Sequence, residues 1–322
     1  MSQAHTRNNC QPGRPLMRPG SLFNTLLCSA FCLLLSPLAA AQPTAKLILI
    51  IDDIGNNRQL GQRTVDLPGP LNLAFLPHTP FASRLAEKAH QAGHGIMLHA
   101  PMANKNNAKL GPGALTSEMT PQQWHQVLVD NISAIPHVSG VNNHMGSELT
   151  ENPRAMRQVM RTLQQQGLFF VDSLTTARSI AAQQAQQAHL PSLKRDVFLD
   201  HSTEPQAIAH QFRKAIQLAK QRGMAVAIGH PYPQTLHHLE QVLPTLAAQN
   251  IELISARQYL YQQLWQQPLS VRSKYQLQPF RLPALQPRSQ AQRKQQQTPE
   301  PQPKQRPQRQ SQPGMHKTAA VN

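Results

Sequence analysis

"KLILIIDDIGNN", residues 46–57, decides how this chain is read. Five consecutive apolar residues, Leu47 to Ile51, run into two adjacent carboxylates, Asp52 and Asp53, and then into Gly55 and two amides. A continuous apolar run of this kind suits a strand buried on both faces, as in a parallel sheet. Two carboxylates at its end are expensive to bury unless something neutralises them. A divalent cation does so directly, because Asp and His are ordinary zinc ligands. Neighbouring residues on an extended strand point to opposite faces, so the two carboxylates should divide the work. One binds metal, while the other turns toward a water whose proton it can take.

Outward from this stretch, the pattern alternates as far as about Leu264. Further strands are expected at 71–77, 95–100, 138–144, 168–173, 195–200, 224–230 and 251–255. Amphipathic stretches fall between them, at 80–93, 120–135, 152–167, 204–223 and 235–250, and several end in Gly or Asn as helix caps do. Strand–helix repetition over this length implies an α/β fold with a largely parallel sheet. Seven to eight mostly parallel strands suit a barrel, complete or distorted, at least as well as an open sheet. Trp124 reads as core.

Either architecture gathers the C-terminal ends of the strands on one face, where chemistry is expected. Those ends deliver Asp52 and Asp53, then His78, His99, Asn142, Asn143 and His144, then Asp172 and Ser173, Asp200 and His201, and His230. His78, Asp172 and Asp200 are reserve ligands. The bland readings are a turn for His99, a helix start for Asp172 and an N-terminal cap for Asp200 in "DHSTEP".

The two ends of the chain read differently. Arg14 and Arg18 precede an apolar run, Leu22 to Leu38, followed by "AAAQ". This predicts a signal peptide over residues 1–41, cleaved after Ala41, with a retained anchor as the alternative. All three cysteines lie before that point, so the mature chain would have no disulfides and no thiol chemistry. Residues 267–322 are rich in Pro, Gln and Arg and carry ten Lys/Arg against one acid. Such a tail is expected to be disordered, with a charge that suits anionic polymer or lipid. Of the net charge of +16, the 42–266 region accounts for only 18 basic against 14 acidic residues. The basic balance therefore belongs to the ends and does not argue for nucleic acid. The tail lacks the interleaved aromatics that such binding uses.

"IIDDIG", followed in order by "MLHAPM", "NNHMGS", "FFVDS", "RDVFLD" and "IGHP", resembles the divergent polysaccharide deacetylases, a branch of the NodB-like carbohydrate esterases. The resemblance covers about residues 46–262. It implies a distorted (β/α) barrel, a zinc-type divalent ion, and hydrolysis of an N-acyl group on a cell-envelope glycan. By motif, Asp52 matches the general base, Asp53 a metal ligand, and His230 the histidine that protonates the leaving group. His99 falls where the main family begins its His-rich metal motif. "HAPMANK" holds no second histidine, so His144 on the next strand is the candidate third ligand. The arginine-bearing motif of the main family is absent, and "NNHMGS" stands in its place. Taken with the expected signal peptide, the resemblance implies an exported, periplasmic or cell-envelope hydrolase. The alternative is a glycan- or protein-binding module that retains the barrel.

Overall fold

The computed structural model describes residues 44–275. The expected signal peptide, and the tail beyond Tyr275, lie outside the described residues.

In chain order the elements are β1 (Ala45–Ile54), α1 (Arg58–Val65), β2 (Asn72–Phe75), α2 (Ala82–Gln91), β3 (Gly95–Met102), α3 (Pro121–Ser133), β4 (Val138–Met145) and α4 (Pro153–Gln165). There follow β5 (Phe169–Asp172), α5 (Ala181–Gln187), β6 (Ser192–Lys194), β7 (Val197–Phe198), α6 (Pro205–Arg222), β8 (Met224–Gly229), α7 (Pro233–Val242), β9 (Ile251–Leu253), α8 (Ala256–Trp265) and α9 (Leu269–Arg272). Caps set several boundaries. Thr120 and Gln123 form a capping box at α3, and Gly223 ends α6 at φ 80°.

One sheet runs β6-β5-β4-β3-β2-β1-β8-β7, with β9 also paired to β1, and every pairing is parallel. The strands at its two extremes, β6 and β7, are joined by Arg195 and Asp196 alone. Three Cα steps span at most ~11 Å, so the sheet must curl until its edges nearly meet. Main-chain hydrogen bonds show how the gap is crossed. Arg195 N–H donates to Asp172 O on β5, and Asp196 N–H donates to Val226 O on β8, both at 2.9 Å. This is a distorted (β/α) barrel, closed by covalent chain rather than by a strand ladder.

The barrel adds one strand to the expected number. β6 was not foreseen, because "SLK" carries little apolar signal. The strand expected at 195–200 shrinks to two residues, because Arg195 and Asp196 are spent crossing the gap. The tail expected to be disordered begins at residue 267, and the described residues extend into it as far as Tyr275. A short helix follows Pro268, and the Arg272 guanidinium sits 4.3 Å from the centre of the Trp265 ring.

Apolar side chains split into two sets. Leu47, Leu49 and Ile51 of β1 pack outward with helix residues such as Leu85, Met156, Phe212 and Leu236. Trp124 is in the same set, 1% exposed. Ile48 and Ile50 face inward with Met97, Phe169, Val171, Val226 and Ile228, and Ala256 and Leu260 of α8 join them. Helices outside and side chains inside are what a barrel requires.

Candidate active site at the C-terminal strand ends

The side-chain period of two carries the inward set past the apolar layer. On β1 the series Ile48, Ile50 continues to Asp52. On β3 it runs from Met97 to His99. On β4 it places Asn142 and His144 inward, since Val141 belongs to the outer set. On β8 it runs Val226, Ile228 and on to His230. Beyond β7 it runs Phe198 to Asp200. The same parity sends Asp172 outward, where its oxygens accept from Leu174 N–H and the Ser179 hydroxyl. Asp172 therefore holds a loop. His201 falls on the other parity from Asp200 and is exposed.

Asp53 should by parity face the helices. It does not, because the backbone breaks there. The β1–β2 register shifts between Ile51 and Ile54, and Asp53 adopts φ 58°. Asp tolerates this left-handed region better than most residues. Gly55 follows at φ 135°, and a Cβ there would collide with the Thr79 hydroxyl oxygen. The tight turn needs a glycine, and it is what brings the second carboxylate back toward the first.

Asp53, His99 and His144 offer three ligand atoms that all lie within 4.8 Å of one another. Asp53 Oδ1 is 2.9 Å from His144 Nδ1 and 3.2 Å from His99 Nε2. Neither contact is aligned as a hydrogen bond, and Asp53 Oδ1 is a buried oxygen with no donor. An orphaned carboxylate oxygen between two imidazole nitrogens is the donor set of a cation site. Burial opposes the Asp53 charge, but the His144 and His99 rings outweigh it and hold the carboxyl well below the usual range. Burial likewise opposes a charge on His99, yet Asp52 and Asp53 push its pKa up to about 9. So much negative charge against one buried ring marks a place for a positive one.

Asp52 is 3% exposed. Its Oδ1 accepts from the Asn142 amide at 2.7 Å. Burial is the largest influence on this carboxyl and pushes its pKa up. Across the cluster, His230 Nε2 stands 3.8 Å from Asp53 Oδ2. His230 Nδ1 faces Asp200 Oδ1 at 2.9 Å. The other Asp200 oxygen accepts from the His230 backbone N–H at 2.6 Å and the Thr235 hydroxyl at 2.8 Å. Burial works against charging His230, but Asp200 outweighs it and raises the pKa.

Asp200 is thus no N-terminal cap, since the cap position of α6 is Glu204. It orients a histidine 30 residues away in sequence. Nothing in "DHSTEP" itself signals this pairing, and the parity from Phe198 is the signal that does. His78 lines the cleft but turns its Nε2 to the Asn131 side-chain oxygen at 3.0 Å. The cleft, about 420 Å³, is lined by Asp53, His144, His78 and the Lys109–Pro112 loop. Tyr232, 40% exposed, lies beside His230 with ring centres 5.4 Å apart.

The family model described as divergent polysaccharide deacetylase matches residues 49–260. The chain is 35% identical to the uncharacterized protein YibQ of Escherichia coli K12, over 74% of this chain and 73% of that one. It is 34% identical to an uncharacterized protein of Haemophilus influenzae, over 65% of this chain and 75% of that one. Among solved structures, the uncharacterized protein ATU2773 from Agrobacterium tumefaciens C58 aligns with a TM-score of 0.64 at 21% identity. That alignment covers 67% of this chain and 89% of the other, and the likeness is one of fold.

Proposed function

The chain belongs to the divergent polysaccharide deacetylase family, and from that premise we propose that it is an exported, metal-dependent hydrolase acting on N-acyl groups of a cell-envelope glycan. The observation that carries this reading is the convergence of five groups from four strands. Asp53, His99 and His144 surround an orphaned oxygen, Asp52 lies beside them, and His230 stands opposite.

Asp53, His99 and His144 would hold the ion, with zinc favoured by the mixed N/O donors. When bound, such an ion polarises an acyl oxygen and acidifies water. Asp52 takes the proton of the attacking water. Its burial suits it to this, because a base works best with a pKa near the operating pH. His230 Nε2 gives a proton to the leaving amine nitrogen. Asp200 keeps the opposite face of the ring occupied and supports the positive charge before transfer. The exposed face of Tyr232 offers a sugar ring an apolar surface next to the proton donor.

A module that only binds glycan needs neither a buried carboxylate beside the cation site nor an oriented imidazole across from it. That surplus supports the hydrolase reading. Export rests on the leader over residues 1–41, and attachment to anionic polymer or lipid rests on the charge of the C-terminal tail. The test of function is acetate release from N-acetylglucosamine oligomers. Release that stops on chelation and returns with zinc is the expected result. No release at any metal loading favours the binding module.

A further inference from the structure

We propose that Asn142 is a positioning residue that sets two parts of the site at once, the ring of His99 and the carboxylate of Asp52. The inference rests on the hydrolase reading for the role of Asp52, but its contacts stand on the structure alone. Asn142 is fully buried, 0% exposed. Its strand places it directly beside His99, since β3 and β4 pair His99 with Asn142. The amide then faces two ways. Its Oδ1 lies 2.8 Å from His99 Nδ1. Its Nδ2 donates to Asp52 Oδ1 at 2.7 Å, with a longer contact to Ser173 Oγ at 3.4 Å.

The two ends of the amide are not interchangeable. Turned over, its NH₂ would meet the ring nitrogen and its oxygen would meet a carboxylate oxygen. In the orientation found, Asn142 Oδ1 must accept, so His99 Nδ1 carries the hydrogen. That leaves His99 Nε2 without a hydrogen, its lone pair toward Asp53 and His144, whose Nδ1 lies 3.1 Å away, and this is the tautomer a ligand needs. At the same time the NH₂ fixes the Asp52 carboxylate against rotation. The amide is fully buried, out of reach of bulk solvent that could take over either bond. A single side chain thus couples the group that takes a proton to a group that holds the ion.

Two substitutions separate these tasks. Asn142→Asp keeps an acceptor for His99 and sets a second carboxyl against Asp52 in place of the amide donor, which raises the Asp52 pKa. Asn142→Ala removes both. The full chain is titrated with zinc against a chromophoric chelator, and turnover is measured at saturating zinc on an N-acetylglucosamine oligomer. Asn142→Asp should keep zinc affinity within about threefold and lose at least about tenfold in kcat, with KM little changed. Asn142→Ala should lose about 10- to 100-fold in zinc affinity as well, the usual worth of an outer partner to a ligating histidine. A merely structural Asn142 would weaken zinc in both variants, in step with lost thermal stability, and that result overturns the proposal. So does an Asn142→Ala protein with wild-type affinity and kcat. If the wild type turns nothing over, the hydrolase reading fails, while the affinity difference between the variants still decides the His99 role. Zinc-loaded crystals of Asn142→Ala then decide the Asp52 role: a carboxylate rotated from its wild-type position supports it, and an unmoved one refutes it.

Discussion

The two ends of the barrel both bury polar side chains, and they treat them in opposite ways. At the N-terminal ends of the strands, Asn72, His94 and Ser139 are spent on main chain. Asn72 donates to Leu49 O and accepts from Ala256 N–H. His94 accepts from Leu71 N–H at 3.2 Å, and its Nε2–H donates to Val65 O at 2.9 Å. The Ser139 hydroxyl donates to Ile96 O. At the C-terminal ends, Asn143 and Asp172 do the same, but the buried groups of the site face one another. Asn142 bridges His99 and Asp52, Asp200 takes His230, and Asp53 Oδ1 has no donor. Polar burial alone therefore does not mark a site. Burial whose partners are side chains, with one valence left open, does. His94 and His99 make the contrast sharpest, since they share one strand and its approach and differ only in what their nitrogens meet.

The largest effect expected at the C-terminal end is that of Asp52→Asn, which should lower turnover by about two to four orders of magnitude and leave metal content unchanged. A fall in metal content as well would place Asp52 among the ligands and redraw the site. Asp200→Asn should be next, with kcat down about 10²-fold at unchanged metal content. The Asp200 charge raises the His230 pKa. Without it, the protonated acid is lost at lower pH, so the alkaline limb of the rate profile should move down. An unmoved limb would mean that His230 is not the acid.

At the other end, the contrast predicts a stability effect with no catalytic one. His94→Leu leaves Val65 O unpaired and Leu71 N–H with only its bond to Gly69 O, and should cost about 1–3 kcal/mol, with turnover of the folded protein intact. Burial lowers the His94 pKa, so the unfolded chain takes up the proton first as pH falls. The wild type's advantage over His94→Leu is therefore full above about pH 6.5 and shrinks below it. A gap that widens on acidification would show the ring to be charged in the fold. The smallest effect is expected from deleting residues 276–322. Thermal midpoint and turnover should hold, while retention on anionic polymer weakens and loses salt dependence. A drop of several degrees on deletion would show that the tail supports the barrel.

Much of this was legible in the sequence, because apolar runs and strand-end polarity are local signals. "KLILIIDD" announced a buried strand and its two carboxylates, and the structure brings Asp52, Asp53, His99, His144 and His230 together. What escaped was set by geometry between strands. The closure through Arg195 and Asp196 has no apolar pattern of its own. Asn142 gains its role only from the register that pairs it with His99, and one sequence does not fix register. Asp200 looked like a cap because Asp before a helix usually is one. The turn of Asp53 depends on a left-handed backbone, for which the following Ile54-Gly55 was the available hint.

The cation site stands or falls on the metal content of the purified full chain. Bound zinc is counted for the wild type and for Asp53→Ala, His99→Ala, His144→Ala, Asp52→Asn and His230→Ala. About one ion per chain is expected in the wild type, retained in Asp52→Asn and His230→Ala and lost in the other three, because a three-ligand site has none to spare. A wild type that binds no metal, or a His99→Ala or His144→Ala protein that keeps its full complement, would contradict this assignment of ligands.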